Sequence, residues 1–256
     1  MFATSVKPLN ALLSNMNTPF LPKNRISSCI IGECYYNEIN ELTDLGIKCI
    51  TFPKNPKLDD EVSCHGDINI FNCGNGDIIA GSNIAGELQR ILTDYNVIPA
   101  GEIRSPYPED ICLNAYLDTK RLFCNSKYLN PQLKRFCDEN NIEIIHTNQG
   151  YTKCSICAVS DNAVITEDDG LPSLLKIYQY NVLKISKGFV GLSDRHYGFI
   201  GGATAKISDS ELYVSGDVSA HPDYSLIKAF CDNYGVSLIF NKNRPLTDFG
   251  GLISII

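Results

Sequence analysis

A unit that returns five times constrains what this chain can fold into. Five positions occupy matching places in the unit and are separated by 48, 42, 48 and 48 residues: Cys64, Cys112, Cys154, Gly202 and Gly250. Regular self-similarity at such a period predicts stacked or radially arranged copies rather than one irregular core. A functional site is then expected where the copies converge.

The third copy shows the order of elements most clearly. Asn130 and Pro131 predict the start of a helix, as an N-cap followed by a first-turn proline. Residues 142–145 alternate in the way that predicts a strand, and the apolar runs 154–159 and 163–166 flank an Asp-Asn step. Each copy is therefore predicted to be a helix, a strand and a β-hairpin.

The other copies repeat this order. Helices are predicted at 38–45 and 84–92, near 172 and near 222; the strands that follow them at 47–52, 97–98, 182–185 and 236–240; and hairpin turns at 75–76, 118–120 and 209–210.

The final copy, residues 250–256, supplies one hairpin strand and then ends. The apolar run Ile26–Ile31 precedes the first helix and fits the vacant place. We therefore predict an α/β fold, a five-fold pseudosymmetric propeller of helix-strand-hairpin units closed by pairing of its N- and C-terminal strands. Residues 26–256 form its single domain and residues 1–25 an N-terminal arm. The alternative is an open α/β sheet of successive strand-helix units.

Composition narrows the functional classes. A net charge of −7, from 22 basic and 29 acidic residues, argues against a nucleic-acid surface. The sequence has neither an apolar run long enough for a membrane span nor a secretory signal, so no membrane partner is expected. The 11 cysteines are predicted to be reduced, buried thiols, which favours a cytoplasmic location.

Carboxylates precede three of the five equivalent positions. They are Asp59, Asp60 and Glu61 before Cys64, Glu109 and Asp110 before Cys112, and Asp248 before Gly250. If these positions converge, the resulting acidic patch suits a cationic ligand, and a planar guanidinium pairs especially well with carboxylates. The alternative for any single residue is an ordinary solvated loop acid.

Two segments carry groups suited to catalysis. In an extended segment His65 and Asp67 share a face, so the imidazole can move protons while the carboxylate orients it or binds a cation. Cys154 is the predicted nucleophile. Lys153 beside it would favour a thiolate, but adjacent strand residues point to opposite faces, so its help is discounted. Burial as structural thiols is the alternative for Cys154 and for its rival Cys112.

Further residues complete the predicted substrate-binding set. Arg104 and Tyr107 lie on a loop that leads into the second hairpin and could recognise a ligand's carboxylate and its apolar part. The predicted substrate-binding residues are Glu109, Asp110, Asn114, Arg104 and Asp248.

Five such copies closed by their termini resemble the pentein fold, the α/β-propeller of the guanidino-group-modifying enzymes. The segments 64–68, 150–155 and 198–202 look like an uncharacterised bacterial branch of that superfamily. The resemblance implies a His-x-Asp pair, which His65 and Asp67 match in type. It also implies carboxylates that clamp a guanidinium, and a cysteine that attacks the central carbon of that group.

This sequence lacks a cysteine at the position where the pentein enzymes have their nucleophile. In those enzymes it follows a glycine-rich stretch late in the chain, whereas here Gly250-Gly251 is followed by Leu252, Ile253 and Ser254. Either another cysteine serves, with Cys154 the choice, or the site binds without reacting.

We therefore expect an amidinohydrolase, deiminase or amidinotransferase-like enzyme that acts on a small cationic guanidino-type substrate with no metal or cofactor. The alternative is a non-catalytic binding or interaction module. Both leave the oligomeric state open.

Overall fold

Five small sheets make up the β-structure in the computed structural model, which describes residues 18–192 and 197–255. Each sheet has three strands, in the orders β15-β1-β2, β3-β4-β5, β6-β7-β8, β11-β10-β9 and β12-β13-β14. The strands are β1 Ser28–Gly32, β2 Lys48–Phe52, β3 Ile70–Asn72, β4 Asp77–Ala80, β5 Asn96–Pro99, β6 Tyr116–Leu117, β7 Arg121–Cys124, β8 Glu143–His146, β9 Cys157–Ser160, β10 Ala163–Thr166, β11 Asn181–Lys184, β12 Thr204–Lys206, β13 Glu211–Val214, β14 Ser237–Phe240 and β15 Ile253–Ile255.

Helices join the strands. They are α1 Tyr36–Asp44, α2 Gly66–Asn69, α3 Ser82–Ile91, α4 Pro131–Asn140, α5 Leu171–Ile177 and α6 Tyr224–Asn233, together with a 3₁₀ turn at Val218–Ala220. None of the helices among the described residues has the length and apolar character that crossing a bilayer requires.

One pattern recurs in every sheet. Two antiparallel strands are followed by a helix and then by a third strand parallel to the second, as in β3, β4, α3 and β5. In the first sheet, β15 supplies the missing strand: Ile30 of β1 lies opposite Ile253 of β15 in an antiparallel pair. The first and last strands therefore share one sheet, as the sequence predicts, and five separate sheets replace the single open sheet of the alternative.

The helices form where apolar residues recur at helical spacing. Helix α3 buries Ile84, Ala85 and Leu88 on one face. Helix α4 begins as predicted, because the Asn130 side chain accepts a hydrogen bond from the Gln132 amide, and it ends at Asn141 in the left-handed conformation. The buried face of α3 packs against strands of two sheets, because Ile84, Ala85 and Leu88 belong to one cluster with Ile30 of β1 and Ile70 of β3.

Hydrogen bonds connect the equivalent segments of the five units in succession. The Asp67 amide donates to the Gly250 carbonyl, the Gly251 amide to the Gly202 carbonyl, and the Gly202 amide to the Cys154 carbonyl. Asn114 lies on the remaining segment, and its side chain bonds to two of the others: it accepts from the Cys154 amide and donates to the Asp67 carbonyl. Segments far apart in sequence therefore meet at one place.

One expectation about the cysteines changes at this level. Cys34 and Cys64 form a disulfide, so the prediction that all cysteines are reduced thiols is wrong for this pair. The cytoplasmic location, which depended on that prediction, stays a prediction. Residues 1–17 of the predicted arm lie outside the described residues, while Phe20 stacks on Tyr116 with ring centroids 5.4 Å apart.

Candidate functional site

A cavity of 270 Å³ lies where the equivalent segments meet. This space is large enough for several water molecules or one small organic ligand. Its walls combine aromatic rings with ionisable groups, and the ionisable residues other than tyrosine are Asp59, Glu61, His65, Asp110, Cys154 and Asp248.

His65 and Asp67 are brought together by a turn. The sequence predicts an extended segment, but only His65 is extended, and the chain then enters the short helix α2 at Gly66. The turn places His65 Nδ1 4.0 Å from Asp67 Oδ1, and both side chains are buried. Neither imidazole nitrogen has a hydrogen-bond partner among the described residues, so the ring is available to a ligand.

Cys154 lies against this pair. Its Sγ donates a hydrogen bond of 2.9 Å to Asp67 Oδ2 and receives one of 3.1 Å from Asn114 Nδ2. Burial raises the pKa of the Cys154 thiol well above its ordinary value, and the negative charges of Asp67 and Asp248 raise it further. Cys154 is therefore held as a thiol when no ligand is bound.

Lys153 also reaches the site, contrary to the sequence argument that discounts it. Residues 151–154 form a turn rather than a strand, and β9 begins only at Cys157, so side-chain alternation does not apply. The ammonium group lies 3.6 Å from Asp67 Oδ2 and donates to the Gly201 carbonyl at 2.8 Å. Its charge opposes the rise in the pKa of Cys154 and in that of Asp67.

Asn114 and Asp248 shape the site from two other units. Asn114 is fully buried and contacts Cys154 rather than the cavity. Asp248 lines the cavity, and its carboxylate accepts hydrogen bonds from the Phe199 and Gly250 amides, each at 2.9 Å. Asp248 Oδ1 lies 3.9 Å from His65 Nδ1, so two carboxylates flank the imidazole.

Asp110 and Tyr151 form another part of the wall. The Tyr151 hydroxyl donates to Asp110 Oδ2 at 2.6 Å, while Asp110 Oδ1 has no partner among the described residues. Asp110 is only 3% exposed, and burial raises its pKa.

The structure places Arg104 and Glu109 outside the cavity. Their side chains bind one another at the surface, where they are 56% and 50% exposed. Cys112 is not part of the cavity wall either. Three of the predicted substrate-binding residues, Asp110, Asn114 and Asp248, are thus at the site or against its cysteine, and Arg104 and Glu109 are not.

Glu167 is a buried carboxyl that the sequence analysis does not single out. Its Oε1 accepts a hydrogen bond from the Ile200 amide, beside the Phe199 amide that Asp248 holds. Burial raises the pKa of Glu167 to about 8. A polar residue that follows the apolar strand β10 directly is the only sequence signal for it.

The side chains around Cys154 could also hold a metal ion. The donor atoms of His65, Asp67 and Cys154 all lie within 4.8 Å of one another. Imidazole nitrogen, carboxylate oxygen and thiolate sulfur are all zinc ligands.

Three solved structures with a similar fold are those of an amidinotransferase, a dimethylaminohydrolase and a deiminase. The inosamine-phosphate amidinotransferase of Streptomyces griseus is 11% identical, with a TM-score of 0.57 over 93% of this chain and 95% of that one. A dimethylarginine dimethylaminohydrolase is 11% identical, with a TM-score of 0.55 over 85% and 92%. An agmatine deiminase from C. jejuni is 9% identical, with a TM-score of 0.53 over 88% and 93%. The resemblance to the pentein superfamily is therefore confirmed at the level of the fold.

Comparison of sequences gives fewer matches than comparison of structures. No curated protein sequence matches the chain significantly. One family model matches residues 30–253, which include strands from each of the five sheets. The protein therefore belongs to the family described as "Family of unknown function (DUF6873)".

Proposed function

We propose that this protein is an enzyme that modifies the guanidino group of a small cationic substrate bound in the 270 Å³ cavity. One observation carries the proposal: Cys154, His65 and Asp67 have their functional atoms within 4.8 Å of one another. Cys154 and His65 also line the cavity together with Asp248. The structurally similar proteins support the proposal, because their names describe amidino transfer and deimination.

Each group has a role that follows from its position. Asp67 and Asp248 attract the guanidinium, and Cys154 Sγ attacks its central carbon. A sulfur–carbon bond forms, one carbon–nitrogen bond breaks, and the nitrogen leaves as an amine or ammonia that carries the thiol proton, relayed through His65. Water or an acceptor amine then displaces the sulfur, which leaves as a thiolate and is reprotonated.

The resting thiol does not prevent this chemistry. The pKa of Cys154 is raised by burial and by two carboxylates. A guanidinium beside those carboxylates offsets their charge, so the bound substrate itself favours the thiolate. Deprotonation is thereby linked to substrate binding, and the free enzyme stays protected against oxidation and alkylation.

We also infer that the five sheets form a closed five-bladed propeller within one domain, residues 26–256. The pairing of β1 with β15 supports this inference, as do the hydrogen bonds that connect the equivalent segments in succession. A circular permutant opened at the exposed Asn75-Gly76 hairpin and joined at the old termini is expected to fold. A permutant that does not fold would count against closure, provided that the unpermuted protein still folds when the same linker is inserted into another exposed loop.

Cationic labelling of Cys154 tests the enzyme proposal. We expect 2-chloroacetamidine to alkylate Cys154 at least about tenfold faster than the neutral reagent 2-chloroacetamide, because only the amidinium offsets the two carboxylates. Peptide mass mapping in the presence of a chelator measures both rates. Guanidino compounds in the cavity should slow the labelling.

The matched control is Cys154→Ala, which should abolish selective labelling while Cys112, a half-buried thiol outside the cavity, reacts as before. Equal rates for the two reagents, with no protection by any guanidino compound, would instead favour the non-catalytic binding module.

Lys153→Met is expected to slow the alkylation of Cys154 at neutral pH by about tenfold or more. The lysine charge is the influence that lowers the pKa of this thiol. Its removal raises that pKa, and one pKa unit corresponds to a factor of about ten in thiolate. The measurement is the alkylation rate against pH, which should move to higher pH. An unchanged profile in a folded variant would show that Lys153 does not act on the thiol.

A further inference from the structure

The geometry points to a substrate with two positive charges and no carboxylate: a guanidino compound whose second cation binds at Asp110. This inference rests on the proposed function, because it assigns the guanidinium to Asp67 and Asp248. It adds a subsite on a different unit of the fold, formed by Asp110 and the rings of Tyr107 and Tyr151.

An unpartnered buried oxygen defines this subsite. Asp110 is 3% exposed, and its Oδ2 is occupied by the Tyr151 hydroxyl at 2.6 Å. Its Oδ1 has no hydrogen-bond partner among the described residues, although the side chain lines the cavity. A buried carboxylate oxygen without a partner is unfavourable, and an ammonium group supplies both the charge and the donor that it lacks.

Aromatic rings stand beside the oxygen. The rings of Tyr107 and Tyr151 lie 5.7 Å apart, and that of Phe199 lies 6.2 Å from Tyr151; all three residues line the cavity. The face of an aromatic ring attracts a cation, and the same rings cover an alkyl chain that connects two charged ends. The subsite therefore fits an alkylammonium group.

The charge of the described cavity wall argues against a carboxylate on the ligand. Its ionisable residues apart from tyrosine are four carboxylates, a histidine and a cysteine, and no lysine or arginine is among the described lining residues. Arg104, which the sequence analysis considered for this task, is bound to Glu109 at the surface. Lys153 donates to the Gly201 carbonyl and faces Asp67. The four lining carboxylates would repel a carboxylate on the ligand.

A matched series of ligands tests the inference. Agmatine and pentylguanidine differ by the exchange of an ammonium for a methyl group, and arginine adds a carboxylate to agmatine. Calorimetric binding to the Cys154→Ala variant avoids turnover. We expect agmatine to bind at least about tenfold more tightly than either pentylguanidine or arginine.

Two substitutions locate the effect. Asp110→Asn should reduce the preference for agmatine over pentylguanidine to less than about threefold while leaving the affinity for pentylguanidine nearly unchanged. Glu109→Gln, the control, removes the same charge one residue away but outside the cavity, and should leave the preference intact.

The outcomes separate this inference from the proposed function. Equal affinities for agmatine and pentylguanidine, or arginine binding as tightly as agmatine, would overturn the inference and leave the guanidino proposal standing. A preference that survives Asp110→Asn would also overturn it. If no guanidino compound binds or protects Cys154 from labelling, both fail together. If Asp110→Asn does not fold, the preference of the Cys154→Ala protein for agmatine over pentylguanidine still decides whether the cavity binds a second cation.

Discussion

As the pH rises from 5 to 9, the free energy of unfolding of the Glu167→Gln variant is expected to increase by about 4 kcal/mol relative to that of the wild-type protein. Burial raises the pKa of Glu167 from 4.5 to about 8 in the folded protein. Over this pH range, a difference of that size between the unfolded and folded pKa values corresponds to about 4 kcal/mol. Glutamine cannot ionise, so the variant lacks this dependence.

The sign follows from proton binding. The folded protein retains the Glu167 proton up to about pH 8, whereas the unfolded chain loses it near 4.5. The folded state therefore binds more protons in this interval, and its stability falls as the pH rises. The contribution is fully present below the unfolded pKa and is lost by the time the pH passes the folded pKa.

The surroundings explain why ionisation is unfavourable. Glu167 is buried, its Oε2 has no partner among the described residues, and the nearby Asp248 and Asp168 raise its pKa further. The Ile200 amide donates to Oε1 and only partly opposes these effects. Glutamine keeps an acceptor for that amide, so the loop next to Phe199 should stay in place.

Urea unfolding at a series of pH values measures the effect. The difference in unfolding free energy between variant and wild type should rise steadily from pH 5 to about pH 8 and then level off. Glu143→Gln, at an exposed position of β8, is the control and should show little pH dependence. A flat difference for Glu167→Gln would mean that this carboxyl ionises normally in the folded protein.

Much of the fold could be predicted because its signals are local. The helix at Asn130 and Pro131 depends on a cap and on a proline that favours the first turn, and both act within a few residues. The hairpin turn predicted at Asn75-Gly76 has the same local character, since Gly74 and Gly76 both take the positive φ that glycine adopts readily. Similar local signals recur at a regular spacing, so the elements of all five units could be predicted in the same way.

The site was only partly predictable because its decisive contacts join distant segments. Cys154 meets Asp67 across 87 residues, and Asn114 meets Cys154 across 40. The sequence argument discounts Lys153 because it treats Lys153 and Cys154 as adjacent strand residues, although both lie in a turn. Glu167 lies beside no recognisable motif, and only the packing that buries it shifts its pKa.

Gly202→Ala is expected to destabilise the protein by about 3 kcal/mol or more and to disturb the site with it. A Cβ atom at Gly202 would lie 2.0 Å from Asp248 Oδ1 and 2.5 Å from Cγ of the same carboxylate. Asp248 cannot easily move away, because it holds the Phe199 and Gly250 amides. Overpacking a site that has no free space costs this much only where neighbouring groups are fixed.

Gly86→Ala is the matched control for this substitution. Gly86 lies inside helix α3, and a Cβ there would meet nothing within 4 Å. Alanine should therefore raise stability by about 0.5–1 kcal/mol, because it reduces the entropy that glycine loses in a helix. Thermal unfolding measures both variants, and labelling of Cys154 by 2-chloroacetamidine should slow only in Gly202→Ala. Equal stability of the two variants would mean that Asp248 is free to shift, and the carboxylates proposed to hold the guanidinium would then not be fixed in place.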